Sequence, residues 1–146
     1  MTLLDANVLI YAYNADAVEH PRMRPWLSDL FSGSARIGIS WLVLWAFIRV
    51  ATNPRLSPTP KPATEAFHIV RTLLAQSKVI VVEPGPRHAE ILERLVIEHK
   101  ISGPLFTDAA LAALAIEHGA TLASTDRDFS RFPNLRWVNP LTAARQ

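Results

Sequence analysis

The chain contains no cysteine. That excludes disulfides and thiolate-bound zinc, and it is compatible with a reducing cytosol. Long apolar runs are missing too. The longest, ISWLVLWAFI at 39–48, has ten residues, about half of the ~20 that a membrane span needs. The start lacks the basic region of a secretory signal. These absences predict a soluble, cytoplasmic protein with no membrane association. There is no internal repeat, no low-complexity tract and no Gly/Ser linker. Neither sign of charge dominates: the formal net charge is +2 and the pI about 9.4. This balance permits an anionic partner without requiring one.

What is present is a globular composition, 49% apolar and 19% charged over 146 residues. That length suits a single domain, 1–146, able to bury about 70% of its unfolded surface. Eleven prolines punctuate the chain, four of them in NPRLSPTPKP at 53–62, a predicted loop. Strands are predicted at Thr2–Asp5, Arg36–Ile39, Lys78–Val82, Thr121–Ser124 and Leu135–Val138. KVIVV at 78–82 is the strongest, β-branched and continuous like a strand covered on both faces. Helices are predicted at Ala6–Tyr13, Glu19–Phe31, Trp41–Thr52, Ala63–Gln76, Pro86–His99 and Asp108–His118, with a candidate short tail helix after Pro140. The helix ending at His118 closes with a basic residue and then Gly119. Strands separated by helices imply an α/β protein with a parallel sheet covered on both faces.

Four aspartates fall where such a sheet binds ligands, outside the carboxyl ends of its strands. Asp5 ends the first predicted strand, Asp126 and Asp128 follow TLAST, and Asp108 sits behind Thr107 just inside the helix of FTDAALAALA. Each has an ordinary use. Asp5 can cap the helix that starts at Ala6, and Asp108 can favour a helix dipole with Thr107 as N-cap. Asp126 and Asp128 can be turn residues. Gathered at one edge, however, their charges repel and raise one another's pKa. A cation between them relieves this. With no cysteine and no pair of histidines at ligand spacing, the donors are all oxygen, which suits Mg²⁺ or Mn²⁺.

LLDANVLIYA at 3–12, FTDAALAALA at 106–115 and LASTDRDFSRFPNLRWVNP at 122–140 resemble, in order and spacing, the PIN-domain ribonucleases. The match is strongest to the VapC toxins of bacterial toxin–antitoxin pairs, and GISWLVLWAFIRVATNPR at 38–55 is similar to one branch of that group. The resemblance covers nearly the whole chain. It implies a three-layer α/β/α PIN-like fold with a central, mainly parallel sheet of about five strands. It also implies a Mg²⁺- or Mn²⁺-dependent endoribonuclease acting as a toxin, an RNA substrate, a cognate VapB-type antitoxin and a homodimer. Carried over residue by residue, Asp5 matches the first metal ligand, Asp108 the second, and Asp126 the last acid, with Asp128 close behind as a further ligand. Asp5, Asp108 and Asp126 form the implied catalytic set. Asn7 matches the polar residue that supports the first aspartate, and Thr107 is the neighbour supporting Asp108. One departure stands out. Many members carry a glutamate three residues before an arginine on the second long helix, and counting back from Arg49 gives Ala46. No acid occurs anywhere in 39–52 to replace it. The expectation is therefore one ion on Asp5 and Asp108, partly through water. A second ion would lean on Asp126, Asp128 and the substrate phosphate.

Hydrolysis by water, not attack by the ribose 2′-hydroxyl, is expected to leave a 5′-phosphate and a 3′-hydroxyl. Arg49 and Arg55 are candidate RNA contacts beside the proline-rich loop, with Lys61, Arg22 and Arg24 as further basic residues; for any one of them a solvated charge is the ordinary use. Trp41 and Trp45 read first as core or interface and second as base-stacking platforms. The apolar 41–48 stretch and the aromatic-rich 26–31 segment suggest a dimer face and an antitoxin groove. Two other functions compete. A non-catalytic PIN-fold module binding protein or RNA is favoured by Ala46. An aspartyl-phosphate phosphatase is suggested by DAN at 5–7, but Asn7 stands where that chemistry needs a second aspartate, and no lysine follows Lys100.

Overall fold

In the computed structural model, which describes residues 1–143, five tripeptides form strands: β1 (Thr2–Leu4), β2 (Ile37–Ile39), β3 (Val79–Val81), β4 (Thr121–Ala123) and β5 (Arg136–Val138). They make one sheet in the order β3-β2-β1-β4-β5, with every pairing parallel. Six α-helices cover it: α1 (Ala6–Ala12), α2 (His20–Ser32), α3 (Trp41–Ala51), α4 (Ala63–Leu74), α5 (His88–Glu98) and α6 (Phe106–Glu117). Helix α1 packs on α2 and α3, α3 packs on α4, and α5 packs on α6. The result is a three-layer α/β/α sandwich, the architecture that parallel strands require because each crossover helix must return over a face. Among the described residues no helix is long and apolar enough to cross a membrane.

The core follows the central strands. Leu3, Leu4, Ile37, Ile39 and Leu122 are fully buried, together with Val8 and Leu9 of α1 and Leu44 and Phe47 of α3. Helix α3 begins at Ser40, whose buried hydroxyl accepts the Val43 N–H at 3.3 Å. Helix α6 stops at Gly119 (φ +62°), whose N–H donates to the Ile116 carbonyl at 3.1 Å while Ala120 N–H donates to Ala115 at 2.9 Å. A left-handed residue is needed there, and glycine carries no penalty for it. His118 Nε2 bonds the Glu83 carbonyl at 2.8 Å, tying that helix end to the segment after β3.

Two expectations need correction. The run at 78–82 is not covered on both faces: β3 lies at the edge of the sheet, and Val81 is 36% exposed. Apolar content measures the wish to be covered, not the position in the sheet. Helix α6 starts two residues before Asp108, after a 3₁₀ turn at Gly103–Leu105, so Thr107 is not its N-cap. A second 3₁₀ turn, Arg127–Arg131, follows Asp126. Of the candidate tail helix, the described part is a turn in which Thr142 and Ala143 N–H both donate to the Asn139 carbonyl; the remainder lies outside the described residues.

Gly38 in the middle of β2 lies where its neighbours leave no room for a side chain. A Cβ there would stand 2.7 Å from Val82 Cγ2 and 3.2 Å from Met1 Sδ. Val82 is β-branched and has little rotamer freedom to give way. Gly38→Ala is expected to destabilise the fold by about 1–3 kcal/mol, read as a lower urea midpoint with an unchanged slope.

Candidate metal centre

Neighbouring strands deliver polar groups to one sheet edge. Asp5 directly follows β1 and caps α1, its Oδ1 accepting the Ala6 N–H at 2.7 Å. Ser124 directly follows β4, the strand beside β1, and its hydroxyl donates to Asp5 Oδ2 at 2.7 Å. Asn7, in the first turn of α1, donates through Nδ2 to Asp5 Oδ2 (3.1 Å) and to Ser124 Oγ (3.0 Å). Its Oδ1 accepts the Thr125 N–H at 3.1 Å. Asp126 N–H donates to Ser124 Oγ at 3.0 Å, and Asp126 Oδ1 accepts the Asp128 N–H at 2.8 Å. Asp108 reaches the same place from the first turn of α6. The ordinary uses of Asp5 and Asp126, capping a helix and a turn, coexist with the gathering of acids.

The gathering is unequal. Carboxylate oxygens of Asp108, Asp126 and Asp128 lie within 4.8 Å of one another. Asp5 lies outside that trio, with donors from Ala6, Asn7 and Ser124 on its carboxylate. Its charge still acts on Asp108. Burial raises the Asp108 carboxyl to about 6, helped by the charges of Asp126, Asp5 and Asp128 and opposed by Arg131. Burial also raises Asp5, against the hydrogen bonds from Ser124, Ala6 and Asn7. An all-oxygen set of four acids with Arg131 as its one paired cation among the described residues is short of countercharge, and a hard divalent cation such as Mg²⁺ or Mn²⁺ fits it.

The remaining candidates fall elsewhere. Thr107 is exposed beside Asp108 and makes no capping bond. Ala46 is half-buried in α3, a helix without a single acid. Arg49, in the last turn of α3, and Arg55, in the proline-rich loop, are exposed, and among the described residues neither forms an ion pair. The arginine that does meet the acids is Arg131, 3.4 Å from Asp128. Sequence reasoning passed over it, although its spacing of three from Asp128 in a helical turn was a usable signal. It also passed over Ser124, the polar residue that closes an otherwise apolar strand two positions before an acid.

The PIN domain family matches residues 2–135. The chain belongs to the PIN-domain family. This PIN domain is 42% identical over 140 residues to the Mycobacterium tuberculosis protein named Ribonuclease VapC37, spanning 96% of this chain and 97% of that one. It is 39% identical to Ribonuclease VapC25 of the same species, spanning 96% and 99%. Among solved structures, VapBC2 from Rickettsia felis, bound to a promoter DNA fragment, superposes with a TM-score of 0.68 at 22% identity, covering 94% of this chain and 97% of that one. M. tuberculosis VapC20, described as a Sarcin-Ricin loop cleaving toxin, gives 0.67 at 19% identity, covering 93% and 99%. At those identities the solved structures attest the fold alone.

The raised Asp108 pKa has a pH signature in the metal-free protein. The folded state holds that proton up to about pH 6, whereas an unfolded aspartate releases it near pH 4. Protonation therefore favours the fold below about pH 4, and this contribution is lost as pH rises through 6. Asp108→Asn keeps a neutral side chain throughout. In EDTA, the melting temperature of Asp108→Asn minus that of wild type is expected to grow between pH 4 and 7. A constant difference contradicts the raised pKa.

Proposed function

We propose that this PIN domain is a divalent-metal-dependent endoribonuclease, the toxin of a type II toxin–antitoxin pair. The observation that carries the reading is the crowding of Asp108, Asp126 and Asp128 beside Asp5 at the carboxyl edge of the sheet. The ribonuclease names borne by relatives at about 40% identity over nearly the full length support it. So do the VapBC complexes among the structural neighbours, which favour a VapB-type antitoxin as partner.

In this reading Asp108, Asp126 and Asp128 hold Mg²⁺ or Mn²⁺, and Asp5 completes the site on its buried side. A divalent ion bound there lowers the pKa of a water and draws charge from the phosphoryl oxygens. The chain's own residues do the rest. Asn7 and Ser124 fix Asp5, so little reorganisation remains when substrate arrives. Arg131, half-exposed beside Asp128, offers a cation to an RNA phosphate. The aspartates hold charge and do not attack phosphorus; water attacks and the bond from phosphorus to the 3′-oxygen breaks, so the products carry a 5′-phosphate and a 3′-hydroxyl.

A homodimer belongs to the same reading. Trp41, Leu42 and Trp45 of α3 are 39%, 37% and 64% exposed. They flank a cleft of about 470 Å³ that Val82, Pro84, Ala110 and Leu114 also line. A second copy presenting the same apolar face suits it, because a two-fold contact is self-complementary. The 26–31 segment contributes less than its composition promised, since Trp26, Leu30 and Phe31 pack against the core of their own chain.

Asp5→Ala and Asp108→Ala are each expected to lower Mg²⁺- or Mn²⁺-dependent RNA cleavage at least ~100-fold, and excess EDTA to abolish it. Cleavage that survives both substitutions, or persists in EDTA, removes the metal mechanism. No cleavage at micromolar protein and no metal effect on melting would favour the inert module that Ala46 suggests. Trp45→Glu is expected to convert a dimer into a monomer by light scattering; a wild-type monomer at high concentration contradicts the dimer.

A further inference from the structure

We infer that Lys100 is a phosphate contact for the RNA strand, kept in a backbone conformation that costs the fold. The inference rests on the ribonuclease reading above and deepens it by placing a second cation near Arg131. Among the described residues, Lys100 is the one residue other than glycine with a positive φ, +52°. In that left-handed region the Cβ of an ordinary residue crowds the following carbonyl oxygen, and glycine escapes the penalty. The chain contains its own comparison. Ile97, Glu98 and His99 close α5, and Ile116, Glu117 and His118 close α6. Both helices then turn through the same motif. Lys100 N–H donates to the Ile97 carbonyl at 3.3 Å and Ile101 N–H to Val96 at 2.9 Å; Gly119 N–H donates to Ile116 at 3.1 Å and Ala120 N–H to Ala115 at 2.9 Å. At the turning position α6 has glycine (φ +62°), the residue that the geometry favours, and α5 has lysine. The fold makes no visible use of that side chain, which is exposed and forms no ion pair among the described residues.

Its place supplies a use. Helix α5 packs along α6, and the short segment 99–105 joins the end of one to the start of the other, whose first turn carries Asp108. His99, next to Lys100, meets Phe132, next to Arg131, edge-on with ring centroids 5.2 Å apart. Arg131 in turn pairs with Asp128 at 3.4 Å. Lys100 therefore stands at the corner between the segment that leads to Asp108 and the one that carries Asp126 and Asp128. An RNA strand brings several phosphates to this edge, where the acids themselves repel it. Phosphates beside the cut need cations outside the acidic set. A lysine, a point charge on a flexible stem, supplies one, and glycine at the same position supplies none.

The test is binding of the full chain to fluorescein-labelled single-stranded RNA of random sequence, read by anisotropy over a range of KCl concentrations. Ca²⁺ takes the place of Mg²⁺ to suppress cutting. Lys100→Gly is expected to lower the slope of log affinity against log salt by about 0.7, the counterion release of one single-strand phosphate, and so to bind about fivefold more weakly at about 0.1 M salt. The same variant is expected to melt about 2–4 °C above wild type, because glycine relieves the left-handed strain. Lys100→Arg keeps the charge and is expected to keep the salt slope, with affinity within about twofold of wild type. Lys100→Gly with wild-type affinity and slope overturns the proposal. Lys100→Gly melting below wild type also overturns it, since the lysine then serves the fold. So does Lys100→Arg binding as weakly as the glycine variant. Wild type that binds no RNA at micromolar protein sinks the ribonuclease reading itself, a pattern distinct from these.

Discussion

Negative charge held at one sheet edge against its own repulsion is the constraint on which this structure turns. Parallel pairing of β1 and β4 brings Asp5 and Ser124 into hydrogen-bond contact although 119 residues separate them in the chain. The Asn7 and Ser124 donors then hold Asp5 in a half-buried place that it would otherwise leave for water. Around it, Asp126 accepts the Asp128 N–H and Asp128 pairs with Arg131, whereas among the described residues the Asp108 carboxylate receives no hydrogen bond. Fold and site are thus one arrangement: the hydrogen bonds that join the two central strands also set the carboxylates.

Glu117 shows by contrast what a purely structural acid looks like in the same molecule. Its carboxylate accepts the Gly85 N–H at 2.7 Å and the Arg87 N–H at 2.9 Å, clamping the loop that leads from β3 to α5. Those N–H groups hold its pKa below the ordinary value. Gly85 leaves room for that carboxylate, since a Cβ there would stand 2.7 Å from Glu117 Oε2 and displace it. Asp108 is shifted the opposite way, by burial and by like charge. A satisfied acid stabilises a loop, whereas a crowded one is available to a cation.

The outer parts of the fold divide their apolar surface between self and partner. Helix α2 turns Met23 and Leu27 inward, and its aromatics pack on the core. Helix α3 is apolar around most of its circumference: Val43, Leu44 and Phe47 face the core while Trp41 and Trp45 face out. Val81 on the edge strand and Phe106 at the start of α6 are exposed as well.

Much of this was legible in the sequence. Alternating short apolar runs and helical patterns predict parallel strands with covering helices, because local periodicity reports which face of an element seeks burial. The strand-end positions of Asp5 and Asp126, and that of Asp108 near a helix start, could be read in the same way. Strand order could not, since nothing local says that the β-branched run at 79–81 lies at the edge and the glycine-containing run at 37–39 near the centre. Nor could the partition of the acids. Only the pairing of β1 with β4 decided that the donors of Ser124 and Asn7 converge on Asp5 while Asp108 joins Asp126 and Asp128. That choice depends on distances between residues far apart in the chain, which periodicity does not contain.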